Sequence, residues 1–312
     1  MMNNIKKNTG STHALMMGLA GAFALSTQAF AFNPGNAPDE PDVPDVPDIP
    51  VTFEVTKEVV AADPWFTVYR PANLDEAVKA KGELPVIAWA NGGCFRSEFT
   101  WEPLFNRWAE EGYVVLALSA APNANGNTGF FGQLKTTNAE HQGALIDWAT
   151  EQSEFADKLD NDKIIAAGNS CGGVTSLELT SQDSRIDGVF VLSGSSALAN
   201  TNEAVMGNIN VPVGYVIGGP EDIAGENAAN DYEALPAGVP SMIVSRSSGT
   251  HRDVSTTPET LEEIADISFH WMDLMLNGKK ASYDELKSKD VCSDCTPGDW
   301  SMMSKNLESL IK

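Results

Sequence analysis

The sequence predicts an α/β fold, a mainly parallel central sheet with helices on both faces. Three observations carry that expectation. From Val51 onward, short apolar runs alternate with longer stretches of helical period. Several of the short runs are apolar almost throughout, as strands covered on both faces must be. The 312 residues, with seven Trp and thirteen Phe, suffice for one large domain with a sizeable core.

Taken in order, "VTFEVTKEVV" and "WFTVYRP" read as an opening antiparallel pair. "LPVIAWAN", Leu84 to Asn91, is a strand buried on both faces. "WEPLFNRWAEEG" is an amphipathic helix closed by Gly112, and "YVVLALSA" is another buried strand. "NAEHQGALIDWATEQS" is a helix with Ala144, Leu145, Trp148 and Ala149 on one side. "KIIAAGN" is a strand, "GGVTSLELTSQ" a helix, and "IDGVFVLSGS" and "VPVGYVIGG" are strands. The link between those last two, from Ser193 to Val211, is short and leaves little or no room for a helical lid. "IAGENAANDYEAL" is a helix, "PSMIVSRS" the last strand, and "TPETLEEIADISFHWMDLML" the long closing helix. No internal repeat and no second folded domain stand out.

The N-terminal segment reads differently. Lys6 and Lys7 precede the short apolar core "ALMMGLAGAFAL", and Ala29-Phe30-Ala31 offers a cleavage site. Residues 1–31 are therefore expected to be a secretory signal peptide, too short to span a membrane. Residues 32–50 contain "PDEPDVPDVPDIP", an acidic Pro-rich linker. Proline at every third position and mutual repulsion of the acids favour an extended tether of roughly 40 Å, or a simple unstructured leader. The catalytic domain is expected over 51–312. The protein should be secreted or periplasmic, with no membrane insertion. A net charge of -23 argues against nucleic acid as a partner and favours solubility.

The chemistry centres on Gly168-Asn169-Ser170-Cys171-Gly172, a G-x-S-x-G run between a buried strand and a helix. This is the nucleophile elbow of the α/β-hydrolase fold, where a tight turn lifts the serine above the sheet. Of the four histidines, His13 lies in the signal segment, and His141 and His270 lie inside helices. His251 sits in the polar loop after the last strand, where a general base is required. Asp222, with Glu221 in reserve, stands at the exit of the preceding strand to orient it. The order Ser170, Asp222, His251 is the order this fold uses. An oxyanion hole is expected from the Cys171 amide and the loop "NGGCF". Within that loop Cys94 or Phe95, beside Gly93, would supply the second donor. Phe95, Trp101, Phe130 and Phe131 are candidate substrate-lining residues. Neither a metal nor an organic cofactor is called for. A neutral imidazole as base implies a rate that falls as the medium turns acidic.

The four cysteines, Cys94, Cys171, Cys292 and Cys295, all lie beyond the signal segment, so disulfides are permitted. Cys292 and Cys295 suit a local bridge. Cys94 and Cys171 fall on the two loops of the oxyanion hole, either as a bridge that stiffens it or as two buried thiols.

"PVIAWANGGC", "GNSCGG", "GGPEDIAGENAANDY" and "VCSDCTPGDW" together resemble a group of secreted α/β-hydrolases, serine esterases near the dienelactone hydrolases, chlorophyllases and polyester hydrolases. The resemblance covers most of Val51 to Lys312. It implies Ser170, Asp222 and His251 as the triad and favours Asp222 over Glu221. Asn169 stands where that group carries Gln, and "GTHRDVSTT" lacks its Gly-rich run. The expected activity is hydrolysis of carboxylic esters, bulky or polymeric ones included. A serine peptidase using the same triad, and a non-catalytic binding module, are the rival readings.

Overall fold

The computed structural model describes residues 52–62, 64–120, 137–198 and 200–312. The expected signal peptide and Pro-rich linker lie outside these residues.

The chain enters the sheet through β1 (Val55–Val60) and β2 (Phe66–Pro71), an antiparallel pair with Val60 opposite Phe66. There follow α1 (Leu74–Lys81), β3 (Leu84–Ala90), α2 (Glu102–Glu110), β4 (Val114–Leu118), α3 (Ala139–Glu151), β5 (Leu159–Asn169) and α4 (Cys171–Thr180). The second half runs through β6 (Gly188–Leu192), α5 (Glu203–Met206), β7 (Val213–Ile217), α6 (Gly225–Ala234), β8 (Ser241–Arg246), α7 (Asp253–Thr256), α8 (Pro258–Asn277), α9 (Lys280–Leu286) and β9 (Trp300–Lys305). The sheet order is β1-β2-β4-β3-β5-β6-β7-β8-β9. β3 to β8 run parallel to one another, and β1, β2 and β9 supply the antiparallel pairings. This is the α/β-hydrolase fold anticipated from the sequence.

Strand periodicity divides one apolar run between two cores. In β3, Val86, Ala88 and Ala90 face one layer, while Ile87 and Trp89 face the other. The first layer packs against α1, α3, α4 and α6, and the second against α2, α8 and α9. Trp89, Phe105 and Trp108 form an aromatic cluster in the second layer, with ring centroids 5.1–5.9 Å apart. Its indole nitrogens are satisfied: Trp108 Nε1 donates to Ser268 Oγ of α8 at 2.7 Å, and Trp89 Nε1 to Asn91 Oδ1 at 2.9 Å.

Beyond the short α5 and α7 and an earlier start to β5, three features depart from the sequence reading. The chain does not close on α8, because α9 and β9 follow, and β9 pairs antiparallel with β8. "WSMMSK" is an edge strand with Trp300 buried and Met303 exposed, so it lacks the continuous apolar run that marks the interior strands. α1 went unmarked because it buries only Ala77 among charged residues; its Asn73 cap, accepting from the Glu76 amide, fixes its start. On α3 the buried face runs through Gln142, Leu145, Ile146 and Ala149, while Ala144 and Trp148 are only partly buried. Cys292 and Cys295 form the expected local disulfide. No helix among the described residues is long and apolar enough to cross a membrane.

Candidate active site

β5 ends at Asn169, and α4 begins at Cys171. The single residue between them, Ser170, makes the turn with φ 52° and ψ -117°. A non-glycine residue at positive φ costs on the order of 1–3 kcal/mol, so the surroundings must enforce it. They do so by close backbone packing. A Cβ at Gly172 would run into the carbonyl of Ala90, and one at Gly168 into the Gly172 carbonyl. Only glycine lets α4 rest directly on β3 and β5. The Ser170 amide donates to Leu192 O at 2.9 Å, and Asn169 Nδ2 donates to the same carbonyl at 2.9 Å. The serine is thereby anchored to the end of β6.

The three candidate catalytic side chains meet at this turn. His251 Nε2 lies 2.8 Å from Ser170 Oγ, and His251 Nδ1 lies 2.7 Å from Asp222 Oδ1. The Asp222 side chain is fully buried, while that of His251 is 22% exposed. Asp222 Oδ2 accepts from the Gly218 amide and Oδ1 from the Ala224 amide, each at 2.9 Å. Burial raises the pKa of this carboxyl, but the hydrogen bonds from His251 and the two amides outweigh it and hold the group below the ordinary aspartate value. Ser193 Oγ sits beside the carboxylate without meeting regular hydrogen-bond geometry. A charged Asp222 keeps the Nδ1 proton on His251 and leaves Nε2 free to accept from Ser170.

Glu221 does not share this role. Its side chain is exposed, and its amide donates to Gly249 O at 3.1 Å in a bridge that ties the β7 exit to the His251 loop. Asp253 Oδ2 accepts from the Thr250 amide at 2.6 Å and fixes the other side of that loop. His141 is occupied in a capping box with Asn138 at the start of α3. His270 lies on α8 against Ser282.

The Asn91–Phe95 loop faces Ser170. Gly93 and Cys94 both have positive φ, 64° and 52°. The Phe95 amide donates to Gly92 O at 3.3 Å within the loop. Cys94 O accepts from the Thr137 amide at 2.9 Å. Asn91 Nδ2 donates to Phe95 O at 3.1 Å, closing the loop on itself. Cys94 and Cys171 form a disulfide between this loop and the first residue of α4.

Two depressions flank Ser170 and His251. One, of about 260 Å³, is lined by Gly93, Phe95, Thr100, Trp101 and Arg252. The other, of about 50 Å³, is lined by Val174, Leu198, Ile223, Ala224 and Asn227. Trp101 belongs chiefly to the aromatic core, being 3% exposed, whereas Phe95 stands 38% exposed at the mouth. Phe130 and Phe131 lie outside the described residues.

A family model for the X-Pro dipeptidyl-peptidases (S15 family) matches residues 58–218, more than half of the chain. The chain belongs to the S15 family. The S15 match runs from within β1 to the exit of β7 and includes Ser170 and the Asn91–Phe95 loop. Asp222 and His251 lie beyond it, so their placement rests on the distances above. S15 membership together with the sheet topology makes the chain a serine hydrolase of the α/β-hydrolase fold. No curated protein matches the chain.

Two residues that support the site in this S15 chain carry no motif. Gln142 of α3 is buried, and its Nε2 donates to Ala88 O at 2.8 Å and to Ser176 Oγ at 2.9 Å, linking β3 to α4 beneath the elbow. Asp231 of α6 is buried and accepts from both the amide and the hydroxyl of Ser196, holding the segment that carries Leu198. A polar residue at the core-facing period of a helix is the signal that marks each.

Proposed function

We propose that the chain is a serine hydrolase that cleaves carboxylic esters through an acyl-enzyme formed on Ser170. The observation that carries this reading is the unbroken relay from Ser170 Oγ through His251 to Asp222, at 2.8 and 2.7 Å. His251 Nε2 takes the hydroxyl proton as Ser170 attacks the carbonyl. The oxyanion receives hydrogen bonds from the Cys171 amide and from Cys94 or Gly93, each worth about 2.7–4 kcal/mol in the transition state. His251 passes the proton to the leaving alcohol, and water repeats the cycle to release the acid. Support for bulky or polymeric esters comes from the open mouth: Leu198 and Ile223 are 77% and 80% exposed beside the serine, and Phe95 stands on the other rim. The resemblance to serine esterases with the NGGC and SCGG motifs supports the same class.

A second reading is a serine peptidase with this triad, favoured by the S15 match. Glu203 and Glu226 line a neighbouring groove of about 480 Å³ and offer carboxylates to a peptide ammonium group. A panel of p-nitrophenyl esters of rising acyl length, run beside X-Pro p-nitroanilides, separates the two. The ester reading expects turnover of the esters, abolished in Ser170→Ala, and slower or no release of nitroaniline. Faster cleavage of the X-Pro amides overturns it. The reading includes export: the secreted protein should begin just after Ala31, which N-terminal sequencing checks.

A further inference from the structure

We propose that the Cys94–Cys171 disulfide is the positioning element of the oxyanion hole, so that oxidation of this pair arms the enzyme and reduction disarms it while the fold persists. The inference rests on the acyl-enzyme reading above and concerns the regulation of that same site. The bridge joins the residue after the nucleophile to the loop that faces it. The other anchors of that loop pull elsewhere. Thr137 holds the Cys94 carbonyl, and Asn91 Nδ2 holds the Phe95 and Leu118 carbonyls. These bonds fix the loop to itself and to the end of β4 and the Thr137 region, whereas the disulfide fixes it to the α4 N-terminus, where the Cys171 amide lies.

Such a tie matters because two donors must converge on one oxygen. An oxyanion hole works through donors fixed at 2.7–3.1 Å from the developing charge, without reorganisation at the moment of reaction. Gly93 and Cys94 are both in the left-handed region, which Cys94 adopts only under constraint. With the bridge open, Cys94 is free to relax toward negative φ, and its amide turns with it. Nothing in the relay from Ser170 to Asp222 passes through either sulfur, so proton transfer stays intact while charge stabilisation weakens. The loss therefore falls on kcat rather than on KM.

The redox step is thiol–disulfide exchange. A dithiol reagent such as dithiothreitol attacks one sulfur as a thiolate, its second thiol resolves the mixed disulfide, and it departs as a cyclic disulfide. Cys94 and Cys171 each gain a proton. Oxidised glutathione reverses the change, accepting the electron pair and leaving as two glutathione thiols.

The test compares the wild type with Cys94→Ser/Cys171→Ser and Cys292→Ser/Cys295→Ser on a p-nitrophenyl ester, with and without dithiothreitol. Mass spectrometry of alkylated peptides records which bridge is open, and circular dichroism records the fold. The expected result is a fall in kcat of about 10- to 100-fold on reduction, with KM within about twofold, recovered with oxidised glutathione. That fall is smaller than the roughly 10²–10³-fold loss on deleting a donor outright. The Cys292→Ser/Cys295→Ser protein should retain wild-type turnover and the same sensitivity to reductant. The Cys94→Ser/Cys171→Ser protein should be slow and indifferent to reductant. Undiminished kcat in a folded protein with the 94–171 bridge open overturns the inference. Unfolding of the reduced wild type also overturns it, because the bridge is then structural rather than positioning. Ser170→Ala in the oxidised protein separates the two claims: turnover surviving that change defeats the acyl-enzyme reading, not merely the clamp.

Discussion

Ser170 is set by its neighbours more than by itself. Its φ of 52° is enforced by the contact of Gly172 with Ala90 and by the hydrogen bond to Leu192 O. Asp222 shows a similar division of labour. Its charge aligns His251, and the Gly218 and Ala224 amides keep that charge favourable despite full burial. Asp222→Asn keeps the shape and removes the charge, so the wrong imidazole tautomer is favoured. We expect kcat to fall by about 10⁴-fold, with a lowered thermal midpoint because one of the two buried amides loses its acceptor. A kcat within tenfold of wild type would remove Asp222 from the mechanism. Gln142 is the corresponding test of support. Gln142→Met leaves buried carbonyl groups of β3 and β5 without the donors they now have. It should cost about 1–3 kcal/mol in denaturant unfolding, and an unchanged midpoint would show that the carbonyls find other partners. That Ser170, Asp222 and His251 meet was legible in the sequence, because each follows a strand exit, where the α/β pattern leaves few candidates. Gln142 and Asp231 were harder to read: each sits at the core-facing period of its helix, but that signal does not name the partner.

At the level of elements, the parallel interior of the sheet was legible and its margins were not. The buried stretches of β3 to β8, such as residues 164–169 of β5, are mostly apolar because both faces are covered, and such a run is hard to mistake. β9 has one wet face and α1 buries a single alanine, so neither carries such a signal. Their positions are decided by tertiary pairing: β9 by the ladder with β8 and by the Arg246–Asp299 ion pair at 2.7 Å. The α8–α9 contact makes a pH-dependent prediction. His270 is half-buried there, faced by Glu285, Asp266, Asp273 and Asp294. Burial lowers its pKa below the ordinary histidine value, more than these carboxylates raise it. The unfolded chain then binds the proton more readily than the folded one. The stability this group contributes is fully present above the ordinary value of about 6.5 and is lost as pH falls from there through the lowered folded value. The thermal midpoint of wild type should therefore fall more steeply between pH 7 and 5, by roughly a degree or two, than that of His270→Gln. Parallel curves for the two proteins would contradict this.

For the whole molecule, the charge of -23 is the dominant long-range fact. Ion pairs such as Lys57–Glu102 and Arg185–Asp147 offset it locally, yet acids outnumber bases by more than two to one, at 43 against 20. Self-repulsion on this scale weakens a compact state and is screened over about 8–10 Å at moderate ionic strength. Raising sodium chloride from a few millimolar to about 0.3 M should raise the thermal midpoint by several degrees; a falling midpoint would mean that attractive pairs dominate. Against that charge, Phe95, Leu198 and Ile223 stand exposed beside Ser170 as apolar side chains. The fold, the disulfides and the relay at Ser170 thus converge on one claim, that this side chain becomes covalently acylated. The most direct measurement is reaction of the protein with a fluorophosphonate, followed by intact and peptide mass spectrometry. The account predicts a single adduct on the peptide containing Ser170, formed slowly or not at all in His251→Ala. A folded wild-type protein that remains unmodified, or carries the adduct on another residue, would contradict it.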